Sequence, residues 1–257
     1  MLRSTGTISR RKLLFASGAL IVVQTFPSVA RAHCCQHGYF GCSTNGSEFE
    51  KLIDPNPSAF SFVGNSTRVS GSGDRSFDVA LAQTLKYLSV EFSVLPGFTF
   101  IREAAEANAF ATNQDLLGRS DGTVAFGLKM IDRVKRTSDH WPASVAGICA
   151  HEFSHIAQYK FGAFSRLGVA EKTARRVELH ADFLAGYFAG RRKQTNPRFP
   201  AADVARTFFD VGDHAVNNPT HHGTPEERAA AVIEGFKHAD LEFHDSYERG
   251  VNYALHV

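Results

Sequence analysis

His151-Glu152-Phe153-Ser154-His155 is where this 257-residue chain concentrates side chains that could do chemistry. Two histidines four apart on a helix are offset by about 40°, so both imidazoles leave one side and can share one zinc ion. Glu152 is rotated by about 100° from His151, where it can reach a water on that metal without being a ligand itself. The flanking Ala143–Ala150 and Ile156–Tyr159 make the segment a mostly buried helix, and Gly162 can cap its end. Burying two imidazoles and a carboxylate without a shared partner would be costly, which argues against a chance charged face.

A catalytic zinc takes a third protein ligand and leaves a fourth position open. Glu178, 23 residues beyond His155 in Val177-Glu178-Leu179-His180-Ala181-Asp182, is the best candidate. It lies in a segment expected to be helical from about Val169 to Arg192. Glu178 and Asp182, four apart, share one face, so Asp182 falls where it could accept the second ring N–H of a zinc-bound histidine. His180 is rotated by about 200° from Glu178 and faces elsewhere, so it is a ligand by chemistry but not by geometry. The bland alternative pairs Glu178 and Asp182 with Arg175 and solvent. Further on, Thr224-Pro225-Glu226-Glu227 reads as a helix start, with Thr224 as N-cap, Pro225 at the first position and Glu227 closing a capping box. His221 and His222 then sit in a loop held at that helix N-terminus.

The elements that must position these groups follow from periodicity. Phe77, Leu81, Leu85, Leu88 and Phe92 mark one face of a helix, which Pro96 and Gly97 should end. Phe98–Ile101 and Thr123–Leu128 read as short strands. If the second of these edges the sheet, it could pair with an extended peptide through main-chain hydrogen bonds. From about Pro142 onward the pattern is helical, punctuated at Gly162, Asn196-Pro197 and Asn217-Asn218-Pro219. Strands followed by several helices indicate an α+β domain with a mostly helical C-terminal half.

Composition bounds the rest. With 43% hydrophobic and 21% charged residues the chain can build a core and is not a disordered tail. Net charge is +2, but residues 1–32 carry five basic side chains and no acidic one, so the remaining 225 residues carry −3. That balance argues against a nucleic-acid-binding surface, which would need a concentrated basic patch. Ser9-Arg10-Arg11-Lys12 followed by the 11-residue apolar run Leu13–Val23 is too short to span a bilayer and suits a signal peptide. Ala30-Arg31-Ala32 offers a cleavage site, so the mature chain would begin at His33. The paired arginines resemble a twin-arginine export signal, which implies the twin-arginine machinery as a partner and a periplasmic or secreted location. A leader retained as an anchor is the alternative, and no later segment is apolar enough to span a membrane. The expected division is a signal peptide at 1–32, an N-terminal Cys-containing extension at 33–73 and a catalytic domain at 74–257. Cys34, Cys35 and Cys42 could hold one disulfide, or join His33 and His37 in a metal cluster. Cys149 reads as a small buried hydrophobe.

H-E-x-x-H followed by E-x-x-A-D resembles the gluzincin zinc metallopeptidases. Asn108–Thr112 followed by Thr123–Leu128 is similar to the segment preceding the zinc helix in the heat-shock membrane protease and prenyl-protein endopeptidase family, where the later strand borders the cleft. Glu178–Phe188 and His222–Arg228 are closer to the bacterial neutral zinc metallopeptidase family. The likeness runs in order over about residues 75 to 237, without the membrane spans of the first family. It leaves the cysteine cluster and the last 20 or so residues without a counterpart. The resemblance implies a zincin-like metallopeptidase domain with a small sheet and an edge strand above the zinc-binding helix. One Zn2+ would be held by His151, His155 and Glu178, with Glu152 as general base and a peptide or protein as substrate. It also implies a histidine that donates a hydrogen bond to the oxyanion: His222 by one relative, His221 by the other, with His222 favoured because Gly223 permits close approach. A zinc-dependent amidase of cell-wall peptides, or a non-catalytic zinc module closed by a fourth protein ligand, are the competing readings.

Overall fold

Phe77, Leu81 and Leu88 form the buried face of helix α1 (Arg75–Glu91), whose first turn is capped by the Asp74 side chain accepting the N–H groups of Ser76 and Phe77. The helix stops well before Pro96, contrary to expectation. The chain reverses at Ser93, in the left-handed region at φ 52°, and this turn sends both Phe92 and Val94 into the core. The computed structural model describes residues 68–103, 107–168 and 172–257, all in one unit of the chain. The expected leader, its cleavage site and Cys34, Cys35 and Cys42 lie outside the described residues.

Among the described residues four short strands, β1 (Arg68–Val69), β2 (Gly97–Ile101), β3 (Ala109–Thr112) and β4 (Thr123–Gly127), form one sheet in the order β1-β2-β4-β3. β2 and β4 run parallel with Phe98 opposite Val124, and both outer pairs are antiparallel. The expectation that Thr123–Leu128 edges the sheet is therefore overturned. β3 pairs along the other side of β4, with Phe110 opposite Ala125, so among the described residues β3 is the edge strand and β4 is interior. Leu128 does not extend the strand either; it opens α2 (Leu128–Thr137). Gly127 has no side chain to cap that helix, and the Glu103 carboxylate substitutes by accepting the N–H groups of Lys129 and Met130, each at 2.9 Å.

The C-terminal part is helical as expected: α3 (Trp141–Phe161), α4 (Ala163–Gly168), α5 (Arg175–Thr195), α6 (Ala201–Asp210), α7 (Pro225–Lys237) and α8 (Phe243–His256). The architecture is α+β with a small mixed sheet. α5 begins six residues later than the sequence pattern indicates. Its start is tied down by the Ala174 N–H donating to the Pro219 carbonyl at 3.1 Å and by Arg175 pairing with Glu227. Residues 169–171 lie outside the described ones.

α3 and α5 are the centre of the molecule. Every residue from Ala143 to Gln158 and from Val177 to Gly190 is buried, so neither helix has a solvent face. β3 packs against α3, and α7 packs against α5. The second contact is backbone on backbone: a Cβ at Gly186 would meet the Val232 carbonyl, and one at Gly235 the Phe183 carbonyl. Cys149 is fully buried in α3, and burial pushes its thiol pKa up, consistent with a small hydrophobe. No described helix is long and apolar enough to cross a membrane.

Candidate metal centre

α3 ends at Gly162, left-handed at φ 81°, and this long buried helix projects His151 and His155 from one side toward Glu178 on α5. His151 Nε2 lies 3.1 Å from His155 Nε2 and 3.1 Å from Glu178 Oε2, and His155 Nε2 lies 3.5 Å from Glu178 Oε1. Three donors on a tetrahedral ion, with bonds of about 2.0–2.1 Å, should be about 3.4 Å apart. All three side chains are buried, and among the described residues they form the single group of ligand type that could hold a metal ion.

The donor set explains why a cation fits. Asp182 Oδ1 lies 2.8 Å from His151 Nδ1, an ion-pair contact without hydrogen-bond alignment, and an anion beside that nitrogen favours the proton there. Gln158 Oε1 faces His155 Nδ1 at 2.9 Å, which places that ring's proton at Nδ1 as well. Both Nε2 lone pairs and the Glu178 carboxylate then converge on one point, a repulsive arrangement that a divalent ion relieves. Burial brings the His155 pKa down to about 4, so the ring is neutral at neutral pH. Burial acts to raise the Glu178 carboxyl, but in the acid range where it titrates the charged forms of His155 and His151 hold it well below the usual range. The ligands are thus deprotonated, as metal binding requires.

Glu152, next to this triad, makes no use of one of its oxygens. Oε2 is buried without a hydrogen-bond partner among the described residues, and burial pushes the carboxyl pKa up to about 8. An orphaned carboxyl oxygen beside a metal triad becomes a proton acceptor for a water or substrate when the charge of a bound cation lowers that pKa.

Sequence reasoning missed the outer partners. Arg228, on α7, forks onto Asp182 with Nε–Oδ2 at 2.7 Å and Nη2–Oδ1 at 2.8 Å, so an arginine holds the aspartate that holds His151. Its guanidinium lies 5.3 Å over the Phe208 ring, which in turn packs 5.2 Å from His151. The one available signal was a basic residue in the first turns of a helix after the His pair, at a position that turns out to be buried. Arg175 pairs with Glu227, so the alternative in which it neutralises Glu178 and Asp182 is not what the fold builds.

The capping box at Thr224 and Glu227 forms as the sequence indicates. Asp213, unremarked in the sequence, organises the loop before it. Its Oδ1 accepts from His221 Nδ1 at 2.6 Å, and its Oδ2 accepts the His222 backbone N–H at 3.1 Å. Burial acts to raise Asp213, but these bonds and the Ala215 N–H bring it down to about 2. His221 is buried and His222 half-buried; each places its Nδ1 toward Asp213, at 2.6 and 3.5 Å, and the Nε2 of His221 is buried without a hydrogen-bond partner among the described residues. A positive charge on His222 is among the influences that lower the Glu178 carboxyl. His180 is no ligand: its Nε2 bonds to the Tyr247 carbonyl at 3.1 Å and its Nδ1 faces Gln158 Nε2. Compared with family models, with curated proteins and with solved structures, the chain matches none.

Proposed function

We propose that this chain is an exported, zinc-dependent endopeptidase of the gluzincin type, built on a zincin-like domain. The observation that carries the reading is the juxtaposition of a three-ligand group with a buried carboxylate oxygen that has no partner. Three protein ligands leave a coordination position open, the pattern of catalytic rather than structural zinc. In a structural site Glu152 would have no task to repay its burial.

Zinc held by His151, His155 and Glu178 supplies Lewis acidity, which activates water and polarises a scissile carbonyl. Glu152 Oε2 takes the proton of the attacking water and passes it to the leaving amine. Asp182, clamped by Arg228, keeps the His151 ring oriented with its proton at Nδ1. β3, the sheet edge lying against α3, is the strand positioned to pair with an extended substrate, a role the sequence reading assigned to β4. His222, anchored at its backbone by Asp213, donates to the oxyanion. The leader delivers the chain to the twin-arginine machinery.

The test is hydrolysis of casein or an unstructured peptide by the purified full chain. Cleavage should disappear on treatment with a chelator and return with one equivalent of zinc. In the same assay His222→Ala should be on the order of 100-fold slower with zinc content unchanged. Cleavage that survives complete zinc removal would refute the reading.

A further inference from the structure

Between α3, α5 and α8 the polar contacts run past the metal ligands without a break, and their directions can be worked out from one end. His180 Nε2 faces the Tyr247 main-chain oxygen at 3.1 Å; a carbonyl only accepts, so Nε2 carries the ring proton. Gln158 Nε2 donates to the Val177 carbonyl at 2.7 Å, which fixes that atom as the amide nitrogen. The same nitrogen lies 2.9 Å from His180 Nδ1, and two donors cannot face one another, so Nδ1 is bare. The amide oxygen then points at His155 Nδ1, and His155 is left with its lone pair at Nε2, on the side of Glu178 and His151. The amide direction at Gln158 is thus set from two sides that agree, the Val177 carbonyl on α5 and the bare Nδ1 of His180, which is itself set by a carbonyl of the C-terminal helix.

We propose that Gln158 and His180 are positioning residues of the metal site, and that through them α8, together with the Val177 carbonyl, sets the tautomer of the ligand His155. This rests on the metal reading above and deepens it. It also gives a task to the last residues of the chain, for which no sequence motif offers one. The contact between α8 and His180 is close: a Cβ on Gly250 would stand 2.9 Å from His180 Cδ2. Tyr247 packs its ring edge-on to His180 at 4.9 Å and accepts the Ala163 N–H on its hydroxyl at 3.1 Å, tying α8 to the start of α4, two residues past α3. Gln158 and His180 are both fully buried, so water cannot substitute for either. With the opposite tautomer, His155 would present an N–H to the metal position.

Two measurements on the full chain decide this. Zinc affinity, by competition with a chelator at fixed pH, should fall about 10- to 100-fold in Gln158→Leu and in His180→Leu, the usual cost of losing an outer partner. His180→Gln, whose amide can both donate to Tyr247 and accept from Gln158, should bind within a few-fold of wild type. Wild-type affinity in both leucine variants, or a glutamine variant as weak as leucine, would overturn the proposal. Should the leucine variants not fold, imidazole nitrogen NMR of the metal-free wild type still answers. The proposal requires His155 as the Nδ1–H tautomer, and an Nε2–H signal contradicts it. A wild type that takes up no zinc would sink the metal reading, while the NMR result reads the relay alone.

Discussion

Glu152→Gln should keep one zinc per chain and a normal melting curve while lowering peptide hydrolysis by on the order of 10³-fold. The substitution preserves volume in a fully buried site and removes no ligand, so neither the core nor the triad has reason to change. It removes the buried carboxyl oxygen proposed to take the proton, and an amide cannot replace it. Stability should not drop, because an isolated buried carboxylate is itself costly and its neutral analogue is not. Zinc content and turnover must be read on the same sample. Turnover near wild type in a fully loaded variant would remove Glu152 from the mechanism.

The second large effect is on metal affinity. Glu178→Ala leaves two bare Nε2 atoms 3.1 Å apart with no anion to complete the site. Its zinc affinity should fall by more than the 10- to 100-fold that loss of an outer partner costs. A chelator competition run beside Asp182→Asn provides the scale, since Asp182 touches His151 from the outside only. The ranking should be wild type, then Asp182→Asn, then Glu178→Ala. If Glu178→Ala is the tighter binder of the two, Glu178 is not a ligand and the triad is wrongly assigned.

Much of the site was legible because helical periodicity fixes angles between residues a few positions apart. His151 with His155, and Glu178 with Asp182, were placed on common faces by spacing alone, and the two helices bring those faces together. The Gly162 end of α3 and the Thr224 capping box were legible for the same local reason. What the spacing did not reveal is non-local. Strand order depends on which strand pairs at long range, so β4 read as an edge until β3 covered it. β3 itself is Ala-Phe-Ala-Thr, buried throughout, with no alternation to announce a strand. Arg228 meets Asp182 across 46 positions, and Asp213 meets His221 from the far side of a loop. His180 shows the difference most sharply. Its angle correctly excludes it as a ligand, but nothing local indicates that Gln158 couples it to one.

The most direct test of the central claim is X-ray absorption at the zinc edge of the full chain loaded with one equivalent of metal. The account predicts tight one-to-one binding and a shell of nitrogen and oxygen donors at about 2.0–2.1 Å, including two imidazoles, with one position exchangeable. A sulfur shell at about 2.3 Å would move the metal to the cysteines and contradict the account; so would a chain that holds no zinc.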